Sequence, residues 1–393
     1  MVFFFPSKQD ETIAIIDIGS SSVGVAFATA PKGAKPRILW SAREEMVFQT
    51  ELNFSRFFSA MTDSLGRVLA RAVQSGHKMP RTFLVSLASP WYIAQTRRVH
   101  VARFKPFIIT KKGITKLIEQ EVASFQDYRL PNYRKVVSEE TRLLEAQSIQ
   151  IKLNGYEVGD PYGTPATNMD MWVYISMSPG SVLDAVKNTL NKHVHAKTIE
   201  FHSFPLLAFS TIRDIFTEAN DFLLLDISGE VTDMSIVRDD VLLETISFPL
   251  GKNFLIRRIA SAQSTSPEEA LSLLHLYLEG RADEKTRMQI QTVLLAARGE
   301  WIALFTEALG NFSKELALPH KVFFTADPDV SGWFAKCIQS EGLGNYTFTD
   351  EPLGVTIFDE AILSGFVSAE KDSDKDPFLL LQAIFAAKNT IQR

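Results

Sequence analysis

The chain has 393 residues, with 41 Lys and Arg against 46 Asp and Glu and a formal net charge of −5. That length points to two or more domains, and the acidic balance excludes a general attraction to nucleic acid. The single cysteine, Cys337, excludes an internal disulfide or a Cys-rich metal site and suits a reducing cytoplasm. No run approaches the roughly eighteen apolar residues of a membrane span. In chain order, Met1 to Pro6 is apolar but too short and too poor in basic residues for a signal peptide, so residues 1–11 are expected to form a tip, loose or packed on the fold.

The first element with chemical content is 12–22. Its β-branched strand ends in Asp17 and is followed by Gly19 and the hydroxyls of Ser20, Ser21 and Ser22. Residues 23–28 and 37–42 read as the next two strands. Phe57, Phe58, Met61, Leu65, Val68 and Leu69 make a helical stripe over 54–74, and 82–87 is a fourth strand. Residues 95–105 then alternate with one basic face, read as a solvated sheet edge in preference to a docking surface for an acidic partner. Thr110 caps a helix lined by Ile114, Leu117, Ile118, Val122 and Phe125. Strands follow at 143–153 and 170–177, joined by a Gly/Pro/Asn-rich turn over 154–168. A helix from Ser181 leads back to a strand near 198.

A second stretch repeats the grammar of the first. Residues 222–233 run from an apolar strand through Asp226 to Ser228, Gly229, Glu230, Thr232 and Asp233. A turn of this kind exposes N–H groups that hold an anion, glycine permits close approach, and a hydrated Mg²⁺ would reconcile Asp17 and Asp226 with phosphate. Taken singly, Asp followed by Gly or Ser is also ordinary turn chemistry; two matched copies favour a nucleotide. Strands at 234–237 and 241–248, a helix near Lys252, helices over 270–278 and 286–318, a strand at 321–327 and a helix from about Asp329 follow. The tail reads as a strand at 346–350, a further strand or a helix start at 355–358, a polar linker over 368–375, and a helix over 378–391, apolar enough to favour burial over the alternative of a membrane-binding helix.

These features resemble the actin-like ATPase superfamily and, within it, the FtsA branch of bacterial actin homologues, with PilM of type IV pilus machines as a near relative. Asp17-Ile18-Gly19-Ser20-Ser21-Ser22 is similar to the family's first phosphate loop and 226–233 to its second. Residues 153–163, with Asn154-Gly155 and Asp160-Pro161, resemble a signature of the subdomain that FtsA carries and actin lacks. The resemblance implies an α/β, actin-like (ribonuclease H-like), two-lobed fold with an inserted small α+β subdomain. Lobe I would span 12–92 and 179–218 with a closing helix at 376–392, and the FtsA-type insert 93–178. Lobe II would span 219–256 and 319–367, with a helical subdomain at 257–318.

It also implies ATP and Mg²⁺ in the interlobe cleft, held by Asp17, Gly19, Ser20, Ser21, Ser22, Asp226, Ser228, Gly229, Glu230 and Thr232, with Asp17 and Asp226 as metal ligands. Thr325 and Ala326 stand where the family carries a glycine pair against the adenosine, and Phe204 stands where a Glu often precedes Pro205, so no residue is assigned to catalysis. The expected activity is at most slow ATP hydrolysis. The expected role is a cytoplasmic scaffold of cell division at the inner face of the membrane. Its expected partners are further copies, met through the insert as filaments, a tubulin-like division protein or a membrane-anchored assembly protein, and peripheral membrane contact. The alternatives are a PilM-like pilus component and a pseudo-ATPase scaffold that no longer binds nucleotide.

Overall fold

The structure is a computed structural model that describes residues 12–30, 34–134, 140–313, 318–340, 343–347, 352–371 and 373–391. The chain opens with β1 (Thr12–Ile18), β2 (Ser22–Thr29) and β3 (Arg37–Glu45), then α1 (Phe54–Gln74) and β4 (Thr82–Leu87). Next come β5 (Ile93–Ile108), α2 (Lys111–Arg134), β6 (Thr141–Leu153), β7 (Tyr156–Glu157) and β8 (Pro165–Pro179). The first half closes with α3 (Gly180–His193), β9 (Thr198–Ser203) and α4 (Phe204–Ile215).

The second half runs β10 (Phe222–Ile227), β11 (Thr232–Arg238), β12 (Val241–Phe248), α5 (Lys252–Gln263), α6 (Pro267–Leu278) and α7 (Glu284–Phe312). It ends with β13 (Lys321–Ala326), α8 (Pro328–Ile338), β14 (Gly354–Ile357), α9 (Glu360–Leu363), β15 (Ser368–Ala369) and α10 (Pro377–Ile391).

Three sheets result. The first has the order β15-β3-β2-β1-β4-β9 and the second β12-β11-β10-β13-β14. In both, a central strand pairs antiparallel with the strand after it and parallel with one that arrives later, so the two halves repeat one topology. The register repeats as well: Asp17 lies opposite Gly24 and Ser86, and Asp226 opposite Asp233 and Thr325. Both central strands are buried along nearly their whole length, as the Ile and Leu runs require. Their carboxyl ends face each other, and that position makes the two turns a site.

The third sheet, β5-β8-β6-β7, is antiparallel, with α2 packed on it through Ile114 and Phe125. Glu145 ties it to the first half. Its carboxylate accepts from the Ser203 backbone N–H at 2.9 Å and the Ser203 hydroxyl at 2.6 Å, and its other oxygen lies 2.9 Å from His202 Nδ1.

Helix α10 is buried from Phe378 to Ala387 except at Ile384, and it packs between β1 and α4. Its apolar circumference therefore belongs to the core. The tail departs from its sequence reading in two places. Tyr346 ends a 3₁₀ turn over Leu343–Tyr346 where a strand was expected to begin, Thr347 forms an isolated bridge with Leu318, and 348–350 lie outside the described residues. The expected linker contributes two residues, Ser368 and Ala369, to the free edge of β3. The expected tip, 1–11, lies outside the described residues.

Candidate functional site

Asp17 and Asp226 line one crevice, together with Gly19, Ser20, Ser21, Ser22, Ser228, Arg43 and Asp327. The two turns expected to enclose an anion meet each other there. Ser20 Oγ lies 2.7 Å from Ser228 Oγ and accepts the Glu230 backbone N–H at 2.8 Å. Gly229 is in contact with Ser21, and a Cβ built on it would overlap the Ser21 Cβ and Oγ. The crevice that remains holds about 10 Å³, room for about one water molecule.

The first amide of each turn is bonded within its own turn. Gly19 N donates to Ser22 O at 3.1 Å and Ser228 N to Val231 O at 3.0 Å. The Ser228 and Gly229 carbonyls accept from Lys252 N and Asn253 N, the first amides of α5. Gly251 is required by this close approach, because a Cβ there would strike both carbonyls.

The acids of the crevice are met by the protein's own groups. Arg43 donates to Asp17 Oδ2 at 2.8 Å, to Asp376 Oδ2 at 2.5 Å and to Ser22 Oγ at 2.8 Å. Gln382, fully buried on α10, donates to the other Asp17 oxygen at 2.6 Å. Burial pushes the Asp17 carboxyl above the usual range, with the Arg43 guanidinium opposing it. For Arg43, burial disfavours the charge, but Asp376 and Asp17 outweigh it and hold the guanidinium protonated.

Asp226 makes no ion pair among the described residues. Burial, then the nearby Asp233 and Asp17, push its carboxyl well above the ordinary value, and its one hydrogen bond is a long 3.4 Å contact from Thr325 Oγ1. Burial and like charge thus both disfavour the carboxylate form here. Glu230 points away from the crevice and bonds Asn253 Nδ2 at 2.8 Å and the Arg257 guanidinium. Thr232 is fully buried between the Leu250 carbonyl and the Trp301 indole N–H. Ala326 is buried at the end of β13.

Lys252 does not lie free on the surface. Its ammonium sits 3.1 Å from Asp327 and 2.9 Å from Asp329, and His275 Nε2 lies 2.8 Å from Asp329. Burial disfavours the ammonium, and the two carboxylates more than offset this.

Asp17, Gly19, Ser20, Ser21, Ser22, Asp226 and Ser228 thus converge while Glu230, Thr232 and Ala326 lie outside the crevice, and in this arrangement the set does not fit a triphosphate and its metal. The turns touch, the amides of Gly19, Ser228 and Glu230 are bonded within the chain, Arg43 and Gln382 each bond one Asp17 oxygen, and burial beside Asp233 and Asp17 disfavours the Asp226 carboxylate. Sequence reasoning missed Arg43, Gln382, Asp376, Asn253 and Arg257. One signal pointed to Arg43: an isolated glycine inside a strand marks a close approach, and Gly24, opposite Arg43 in the β2–β3 register, is where a Cβ would press on that guanidinium.

No family model matches the chain, and no curated protein matches it by sequence. Among solved structures, the fold is similar to that of a PilM-PilN type IV pilus biogenesis complex at 14% identity, covering 96% of this chain and 98% of that one, with a TM-score of 0.61. It also matches the ethanolamine utilization protein EutJ from Carboxydothermus hydrogenoformans (12% identity, 98% and 90% covered, TM-score 0.45). MreB5 of Spiroplasma citri bound to ADP matches at 12% identity, with 98% and 99% covered and a TM-score of 0.42. The chain therefore has the actin-like ATPase fold, α/β and two-lobed, with a small α+β subdomain inserted into its first half.

Proposed function

We propose that this chain is a scaffold subunit of a membrane-associated assembly, of the FtsA/PilM kind, whose interlobe cleft is held shut by its own side chains and takes no ATP and Mg²⁺. The observation that carries the reading is the direct contact of the two turns, Ser20 on Ser228 and Glu230 and Gly229 on Ser21. A triphosphate would have to displace those bonds together with the Arg43 and Gln382 contacts to Asp17. The neighbour seen as PilM with PilN supports a subunit that works by holding a partner. Docking to a membrane-anchored protein, and self-association through the inserted subdomain, are the interactions this role requires. A cytoplasmic place at the inner face of the membrane follows from that role.

The test is a thermal-shift titration of the full chain with ATP and Mg²⁺. The expected result is an unchanged melting temperature up to millimolar nucleotide. A site occupied at a hundred times its dissociation constant would add about 2.7 kcal/mol, so a saturable rise of that size overturns the reading.

A further inference from the structure

Between Arg97 and Leu117 the chain carries seven Lys or Arg and no Asp or Glu, although its net charge is −5. The first two cations are used inside the insert: Arg97 pairs with Glu121 and Arg98 with Asp170. The other five, Arg103, Lys105, Lys111, Lys112 and Lys116, make no ion pair among the described residues and are all exposed. They follow one another along the end of β5 and the start of α2.

The topology gathers exposed apolar groups at the same place. The far end of the third sheet is where β5 and β6 finish and β8 begins, since both pair antiparallel with β8. There β5 breaks register between Ala102 and Phe107, so residues 103–106 stand out of the ladder and Phe104 is fully exposed. Ile108, at the end of β5, is 56% exposed, and the adjoining β7 and the turn after it present Tyr156 at 79% and Tyr162 at 49%. The Tyr162 turn is tied to this end by Gly163 N donating to Ile109 O at 2.9 Å. The β6–β7 hairpin is tied to it by Asn154, which accepts from Thr167 N and Asn168 N at 3.0 Å each. The nearby carboxylates are occupied locally: Asp160 accepts from Tyr162 N, and Glu157 accepts from Gln150.

We infer that this end of the insert is a membrane-contact surface that binds anionic phospholipid, its aromatic and aliphatic side chains entering the headgroup level while Arg103, Lys105, Lys111 and Lys112 lie over the phosphates. Aromatic groups with one polar end favour that interface, and each Lys or Arg near an anionic surface contributes about 1 kcal/mol. Single residues projecting from a bulge, a hairpin and a turn suit a fluid surface, which needs no matching groove. The inference rests on the scaffold reading only in its membrane association, and its test involves no nucleotide, so failure of either leaves the other standing.

The test is sedimentation of the full chain with vesicles of phosphatidylcholine alone and of phosphatidylcholine with 30% phosphatidylserine. Binding is expected to the anionic vesicles only and to weaken with salt. Lys111→Ala with Lys112→Ala is expected to lower affinity about 25-fold, the product of two steps of about 1 kcal/mol, and Phe104→Ser to lower it severalfold further. Lys78→Ala with Lys285→Ala, which removes the same charge elsewhere, is expected to lower affinity less than threefold. Thermal melts of the variants should match the parent, because all the altered side chains are exposed. No binding to anionic vesicles by the parent chain overturns the proposal. So does vesicle binding that the tip substitutions leave unchanged, which would place the contact elsewhere in the chain. Loss of self-association or of capture by an acidic protein, with vesicle binding intact, overturns it in favour of a protein surface.

Discussion

Replacing Arg43 by Met tests whether the cleft is held by internal charges. Arg43 is 16% exposed, and its two acid partners, Asp17 and Asp376, are 4% and 9% exposed. Met keeps most of the stem that packs beside Phe378, where the guanidinium lies 5.4 Å from the ring, but leaves two carboxylates without a cation. Removing one member of a buried ion pair costs about 3–5 kcal/mol, mostly because the partner's charge stays buried. That range is expected here, since Gln382 and the α10 amides still serve Asp17 and Asp376.

The pH dependence carries a definite sign. Arg43 opposes the upward push of burial on Asp17, so its removal raises the folded-state pKa of Asp17 further. A carboxyl whose folded pKa lies above the unfolded value of about 3.9 carries no penalty below that value, and stability falls as the pH rises from there through the folded pKa. The deficit of Arg43→Met should therefore be smaller at pH 4.5 than at pH 7.5. Urea unfolding followed by tryptophan fluorescence reads it, because Trp91, stacked on Phe57 at 4.8 Å, donates its indole N–H to Gly19 O beside the site. Adding Asp17→Asn should recover part of the loss at pH 7.5. A deficit below about 1 kcal/mol, or one equal at both pH values, refutes the reasoning.

Two further substitutions probe the contact between the halves. Gly229→Ala places a methyl on Ser21 and should cost about 1–3 kcal/mol by overpacking; a calorimetric melt unchanged from the parent would mean that the turns stand apart in solution. Asp226→Asn should stabilise the chain at pH 7.5 and leave it nearly unchanged near pH 4, because burial beside Asp233 and Asp17 raises the folded-state pKa and such a penalty appears only above the unfolded pKa. A melting temperature lowered at pH 7.5 would show that Asp226 works there as an anion.

The fold was legible where local pattern and burial agree. The two Ile- and Leu-rich strands ending in Asp17 and Asp226 are central strands in matching sheets, and the insert has the expected strand, helix and strands. The tail helix lies in the core, as its lack of a polar face implies. The site was legible only in part, because the partner of a carboxylate is a tertiary fact. Asp376 announces itself as a helix cap, and it does cap α10, with Phe378 N at 2.9 Å; nothing local says that its other oxygen meets Arg43. Lys252, directly after Pro249-Leu250-Gly251, carries no local sign of its partners, yet two carboxylates from the start of α8 enclose it.

Those unreadable pairings bear on how the protein works. In a ligand-set cleft, the cations that neutralise facing carboxylates come with the ligand, so the angle between the halves depends on occupancy. Here Arg43 serves Asp17 and Asp376, Arg257 serves Glu230, and Lys252 serves Asp327 and Asp329, all from within the chain. Arg257 also donates to Gln49 O at 3.2 Å and lies 5.3 Å from the Phe48 ring, so this cation of the second half grips the loop after β3 in the first. In this structure the angle is set by contacts from within the chain. A ligand shifts an equilibrium only by its differential affinity for the two states, so on the closed-cleft reading proposed above a nucleotide has no hold on that angle. Regulation, on this reasoning, acts at the outer surfaces where partners and lipid meet the chain.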